Sequence, residues 1–344
     1  MKHYMIFLLT GILLQGFCSC GEDSFLNRRE LGDNRGEVTE MMLYVDWNKY
    51  ADGKPTGMTA FTYGEEAGKA YAVSNNVDSM LLSRPMDKYR LLLFNLSPDE
   101  YGSMDFLDMD NFDSARVMLT PITQRQNHSW DKGVVYQRDP EQLYVARDTL
   151  DFSYQSSQVT KRSSDMTDTW RYSALEQPQP YVTQLVIRVR VIGIRSLKSV
   201  EGSISGFSAG YYLGRNCGTD STGTQLLDAW KITVDSVGAN DGYITTSIST
   251  FGLPPKADRQ SSDNVLKLAF TLVDNTVRVY TVDVGNKIVE LPDLEVGSKL
   301  KYQMTLYSSV ADVNLPNVKP SGEGSGFNAE VDDWDNGGDY DIVF

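Results

Sequence analysis

Nucleophilic or soft-metal chemistry has few residues to draw on in this 344-residue chain, which contains two histidines, His3 and His128, and three cysteines, Cys18, Cys20 and Cys217. A Ser-His-Asp or Cys-His arrangement would have to use His128, in the polar stretch Gln126-Asn127-His128-Ser129-Trp130. With no orienting partner evident beside it, His128 is expected to be an exposed loop residue. A tetrahedral zinc site cannot be assembled from His128 and Cys217, and no Gly-x-x-x-x-Gly-Lys phosphate loop occurs. The chain has 46 Asp and Glu, too many for any pair to stand out as a hydrolytic couple. No catalytic residue, no metal and no cofactor is assigned, and an enzyme is not expected.

Two acidic clusters invite comparison with calcium loops: Asp105, Asp108, Asp110 and Asp113, and Asp332, Asp333, Asp335 and Asp339. Neither keeps the Asp-x-Asp-x-Asp-Gly spacing with a closing Glu, and both read as solvated loop faces. Tyr211 and Tyr212, set between Gly210 and Gly214, are the candidate ligand-binding pair. Exposed, they could stack on sugar rings or a partner; buried, they would be ordinary core. A net charge of −14 excludes a basic stripe of the kind that neutralises phosphates, so nucleic acid is not a partner.

The start of the chain has a different character. Lys2 is followed by an almost wholly apolar run over residues 4–14, too short to span a bilayer. The stretch Gly16-Phe17-Cys18-Ser19-Cys20-Gly21-Glu22-Asp23-Ser24 then resembles the cleavage and lipidation site of bacterial lipoproteins. Small Ser19 suits the position before the modified cysteine, so Cys20 is the lipidation candidate, carrying palmitate-type acyl chains. Phe17 stands where such sites usually carry Leu, Val or Ile. The alternative is an ordinary secretory signal cleaved near Ser19. Residues 1–19 are expected to be a lipoprotein signal peptide, and residues 20–36 the lipidated cysteine and a polar tether. Cys217 is then left alone, expected to be a small, partly buried side chain, and the exported chain must rely on its core.

From residue 37 onward, short β-branched and aromatic segments alternate with Gly, Asn, Asp, Pro and Ser. The fold class is therefore all-β, with two consecutive antiparallel β-sandwich domains. Strands are expected at 38–47, 58–63, 89–95, 116–120 and 149–154. Leu91-Leu92-Leu93-Phe94 is continuously apolar and should be covered on both faces, central in its sheet. Short helical insertions are expected within 97–113 and at 140–144. Pro178 and Pro180 bar helix and central strand alike, which separates a first domain at 37–177 from a second at 181–344. Beyond them, Leu185, Ile187, Val189 and Val191 alternate with Val186, Arg188 and Arg190, giving one apolar and one largely cationic face. Asp274-Asn275 should turn a hairpin between strands centred on Phe270 and Val279. Further strands are expected at 226–234, 243–250, 300–307, 327–334 and 339–344.

Particular phrases resemble a known family. Val45-Asp46-Trp47 leads to Pro55-Thr56-Gly57-Met58-Thr59-Ala60-Phe61-Thr62-Tyr63, and Val331-Asp332-Asp333-Trp334-Asp335 precedes the last expected strand. With Gly21-Glu22-Asp23 after Cys20, these are similar to the fimbrillin-like surface lipoproteins of Bacteroidales. The resemblance implies two transthyretin-like, Greek-key sandwiches in a pilus subunit, anchor or tip protein at the outer membrane, joined to other fimbrial subunits by strand donation. Shaft subunits of such systems carry an apolar first strand ahead of an arginine cleavage site. Arg28, Arg29 and Arg35 are present, but residues 21–36 offer no such strand. The departure favours a subunit that keeps its lipid, or a surface lipoprotein outside any pilus. Its expected role is structural or adhesive, facing a host or glycan surface. The alternative is a glycan-binding lipoprotein of a nutrient-uptake system, using Tyr211 and Tyr212.

Overall fold

The computed structural model describes residues 38–122, 128–152, 173–236, 239–291, 300–306 and 313–320. Cys20, the tether, the second acidic cluster and the strands expected at 327–334 and 339–344 lie outside them.

In the first half the strands are β1 (Val38–Val45), β2 (Met58–Gly64), β3 (Gly68–Ser74), β4 (Ser79–Pro85), β5 (Lys88–Asn95), β6 (Met104–Leu107), β7 (Arg116–Leu119), β8 (Tyr136–Gln137) and β9 (Tyr144–Asp151). Pro178 separates β10 (Ser173–Glu176) from β11 (Gln179–Pro180), followed by β12 (Thr183–Ile192), β13 (Leu197–Ser208), β14 (Gly210–Tyr212) and β15 (Cys217–Gly218). The second half continues with β16 (Thr222–Leu227), β17 (Lys231–Val234), β18 (Asp241–Thr250), β19 (Val265–Leu272), β20 (Val277–Asp283), β21 (Ile288–Glu290), β22 (Leu300–Leu306) and β23 (Val313–Asn314).

Three sheets stack in the first half. The middle one, in the order β11-β9-β5-β2-β3, places β5 at its centre. Period-two alternation sends Leu91 and Leu93 into one core with Leu43, Met58 and Leu82, beneath the β10-β1-β4 sheet. Leu92 and Phe94 enter a second core with Phe61, Val117 and Leu213, beneath the β15-β14-β7-β6 sheet. That is why a run of four consecutive apolar residues is tolerated: each face of the strand has its own cover. Pro180 lies in β11, an edge strand, as a residue without a backbone donor must.

A sandwich forms in the second half. One sheet runs β17-β18-β12-β22-β21, with β23 also on β12, and the other runs β20-β19-β13-β16-β8. Leu185, Ile187, Val189 and Val191 meet Ile204, Leu266, Leu268 and Phe270 between them. The β19–β20 hairpin turns at Asn275, which has φ 64°.

Several expectations are corrected. Residues 140–144 are not helical; the chain runs extended into β9, which begins at Tyr144 rather than at 149. The stretch 97–113 holds a single 3-10 turn at Pro98–Glu100 and then a strand, β6. The segment 226–234 divides into β16 and β17, which join different sheets. Strands β3, β4 and β13 were not expected. β13 is rich in Ser and Gly and reads as loop, yet it lies between β16 and β19. Small side chains suit that crowding: a Cβ on Gly202 would stand 2.7 Å from the Lys267 carbonyl oxygen.

Candidate functional site

Tyr211 and Tyr212 lie in β14, which β7 and β15 flank. Close approach of β14 to β7 requires the glycine before them, since a Cβ on Gly210 would fall 2.3 Å from the Val117 carbonyl oxygen. Being consecutive in a strand, the two tyrosines point to opposite faces. Tyr211 is half-buried and packs against the core, its ring 4.8 Å from that of Tyr181 and 5.8 Å from that of Phe251. Its hydroxyl donates to Asn216 Oδ1 at 3.1 Å, and burial pushes its pKa up to about 12. Tyr212 is half-buried, with the Arg215 guanidinium 3.4 Å from its ring centroid. The pair therefore offers no shared stacking platform.

His128 departs from expectation. It is half-buried, its ring packed against Trp130 and Tyr136 at 5.1 and 5.8 Å. Its Nδ1 lies 3.1 Å from Glu201 Oε2, the oxygen to which the Trp130 indole N–H also donates at 3.2 Å. Next to it Asp131 is buried and accepts hydrogen bonds from the Tyr136 hydroxyl at 2.8 Å, the Ser203 hydroxyl at 3.0 Å and the Lys267 ammonium. Burial pushes the Asp131 carboxyl up, but these donors outweigh it and hold the group below the usual carboxylate range. The Ser203 hydroxyl thus donates to a carboxylate, not to the histidine. The constellation fastens residues 128–137 to β13 and β19, and the signal for it was an aspartate directly after a tryptophan in a stretch that reads as polar loop.

The first acidic cluster is dispersed by cations. Asp108 pairs with Arg116 at 2.8 Å, Asp110 with Lys69 and Asp113 with Arg90 at 2.9 Å. Among the described residues no group of three ligands could hold a metal ion. Cys217 is half-buried, as expected. Glu176 in β10 is only 5% exposed; burial raises its pKa to about 7, with the Asp148 carboxylate adding to the effect. A cavity of about 70 Å³ opens among Gln142, Tyr144, Thr183, Gln184 and Ser249. That is room for roughly two waters.

Among the described residues, no helix is long and apolar enough to cross a membrane. No curated protein matches the chain. Among solved structures, a candidate adhesin from Bacteroides ovatus is similar at 17% identity and a TM-score of 0.56, covering 89% of this chain and 100% of that one. The fimbrial anchor protein Mfa2 from Porphyromonas gingivalis is similar at 9% identity and a TM-score of 0.43, over 73% of this chain and 84% of that one. The first likeness shows a shared fold, the all-β sandwich architecture that the resemblance implied. The model of the family described as Domain of unknown function (DUF5119) matches residues 26–228, more than half of the sequence, and the chain belongs to that family.

Proposed function

We propose that the chain is a structural or adhesive surface protein of fimbrial type, an anchor, tip or accessory subunit without catalytic activity, held at the outer membrane by acyl chains on Cys20. The observation that carries the reading is the fold shared along 89% of the chain with a candidate adhesin. Domains 37–177 and 181–344 are the units it presents outward. Exposed edge strands support docking to other subunits by strand addition: β3 ends its sheet with Tyr71 57% and Val73 50% exposed. Stable anchoring needs at least two acyl chains, because each buried CH₂ contributes about 0.8 kcal/mol and one chain holds only marginally. Fractionation of expressing cells tests the anchor. Cys20→Ala should move the protein from the membrane to a soluble fraction, and unchanged retention would overturn the proposal. Cross-linking of intact cells tests assembly, with ladders expected only when partner subunits are present.

A further inference from the structure

The outward face of one sheet of the second sandwich concentrates positive charge in a chain of net charge −14. Strands β17, β18, β12 and β22 are neighbours, so their outward side chains fall into cross-strand rows. Lys231 stands opposite Thr245, Thr245 opposite Arg188, and Arg188 opposite Thr305. The rows on either side read Thr233, Tyr243, Arg190 and Ser247, Val186, Gln303. Alternate residues Leu185, Ile187, Ile244, Ile248 and Met304 are buried, which fixes the direction of every side chain in the rows. Lys231, Thr233, Arg188, Ser247 and Gln303 are exposed.

Two cations of this face are already matched: Arg190 lies 3.3 Å from Asp241, and Lys301 lies 3.2 Å from Glu290. Arg188 and Lys231 make no ion pair among the described residues. Arg188 instead lies over the Tyr243 ring, 3.8 Å from its centroid, a contact that restrains the guanidinium without neutralising it. With Lys231 and Arg188 two strands apart, the charges are separated by roughly 10 Å across the sheet. Successive charges on an extended ligand match that separation better than one compact anion does.

We infer that this face binds an anionic polysaccharide, Arg188 and Lys231 taking its carboxylates while Thr245, Thr305, Ser247 and Gln303 hydrogen-bond its hydroxyls. Protein-binding patches are rich in large apolar and aromatic side chains at their centre and poor in lysine, whereas this face is mostly hydroxyl, amide and cation. A lipid surface would demand several large inserted apolar side chains, and the rows offer half-buried Val186, exposed Val289 opposite Gln303 and the Tyr243 ring that Arg188 covers. The inference rests on the adhesive reading above and supplies its ligand class.

The experiment titrates the full chain with polygalacturonate and with its uncharged methyl ester, in about 20 mM and about 0.5 M salt. Binding is expected for polygalacturonate alone, weakened roughly tenfold or more at the higher salt and in Arg188→Gln/Lys231→Gln. An unchanged unfolding temperature of the double variant checks its fold. Lys231→Gln alone, at an exposed edge, is the fallback and should weaken binding too. No binding, equal binding of the ester, or an affinity indifferent to both variants would overturn the inference. So would complete displacement of the sugar by polyglutamate, which would make the face a dock for acidic protein. Membrane retention and cross-linked ladders do not enter this readout, so either proposal can fail without the other.

Discussion

At the scale of single residues, two buried carboxyls behave in opposite ways because of what surrounds them. Glu176 is buried near another acid, and its pKa is raised to about 7 from an unfolded value near 4.3. Between those values the folded chain binds more protons than the unfolded one, so stability falls as pH rises through the window and stays lost above it. Full linkage would amount to roughly 3 kcal/mol, but exposed Asp148 is screened by solvent, and about 1–2 kcal/mol is expected. Glu176→Gln should therefore be more stable than the parent at pH 8 and indistinguishable near pH 4.5, measured by urea unfolding at both. Asp131 is buried among three donors instead, and Asp131→Ala would strand the Lys267 ammonium. A loss of about 3 kcal/mol is expected in the same assay. Neither environment was legible beforehand, because a carboxylate's neighbours come from strands far away in sequence.

Among the elements, strands whose pattern was unambiguous formed where expected. β5 and β12 illustrate the two cases: one continuously apolar over Leu91–Phe94 because both faces are covered there, the other alternating because one face meets solvent. β13 escaped notice because serine and glycine mark loops by propensity, while in this sheet they give β16 and β19 room to approach. Its register against β16 shifts between Ser205 and Phe207, at Gly206, where φ is 90° and an added Cβ would stand 1.9 Å from the Asp263 carbonyl oxygen. Gly206→Ala should cost about 3 kcal/mol and lower the thermal midpoint, whereas Gly53→Ala, with nothing within 4 Å but also at positive φ, should cost closer to 1 kcal/mol.

For the molecule as a whole, the two halves share structure across the proline-marked boundary. β14 pairs with β7, β8 pairs with β16, and Leu213 and Phe251 lie in one apolar cluster with Phe61 and Phe94. Calorimetry should accordingly show a single cooperative transition, in which Tyr211→Ala lowers the midpoint of the entire unfolding event by removing a ring packed against the shared core. Two separated transitions, with only one displaced by the variant, would show that the halves unfold independently. The same packing explains the limited legibility of the tyrosine pair. A dipeptide between glycines announces a strand or a turn, but whether its rings meet solvent depends on Tyr181 and Phe251, distant in sequence.

The sequence by itself determined the all-β class, the hairpin at Asn275, the doubly covered β5 and the cationic alternation of β12, because these follow from local periodicity and turn chemistry. Only the tertiary structure decided that the first half stacks three sheets, that His128 is held against Glu201, that the first acidic cluster is split among three cations, and that Arg188 and Lys231 share one face. Each of those depends on which strands become neighbours. Strand order is a property of long-range packing that a period of two residues cannot carry.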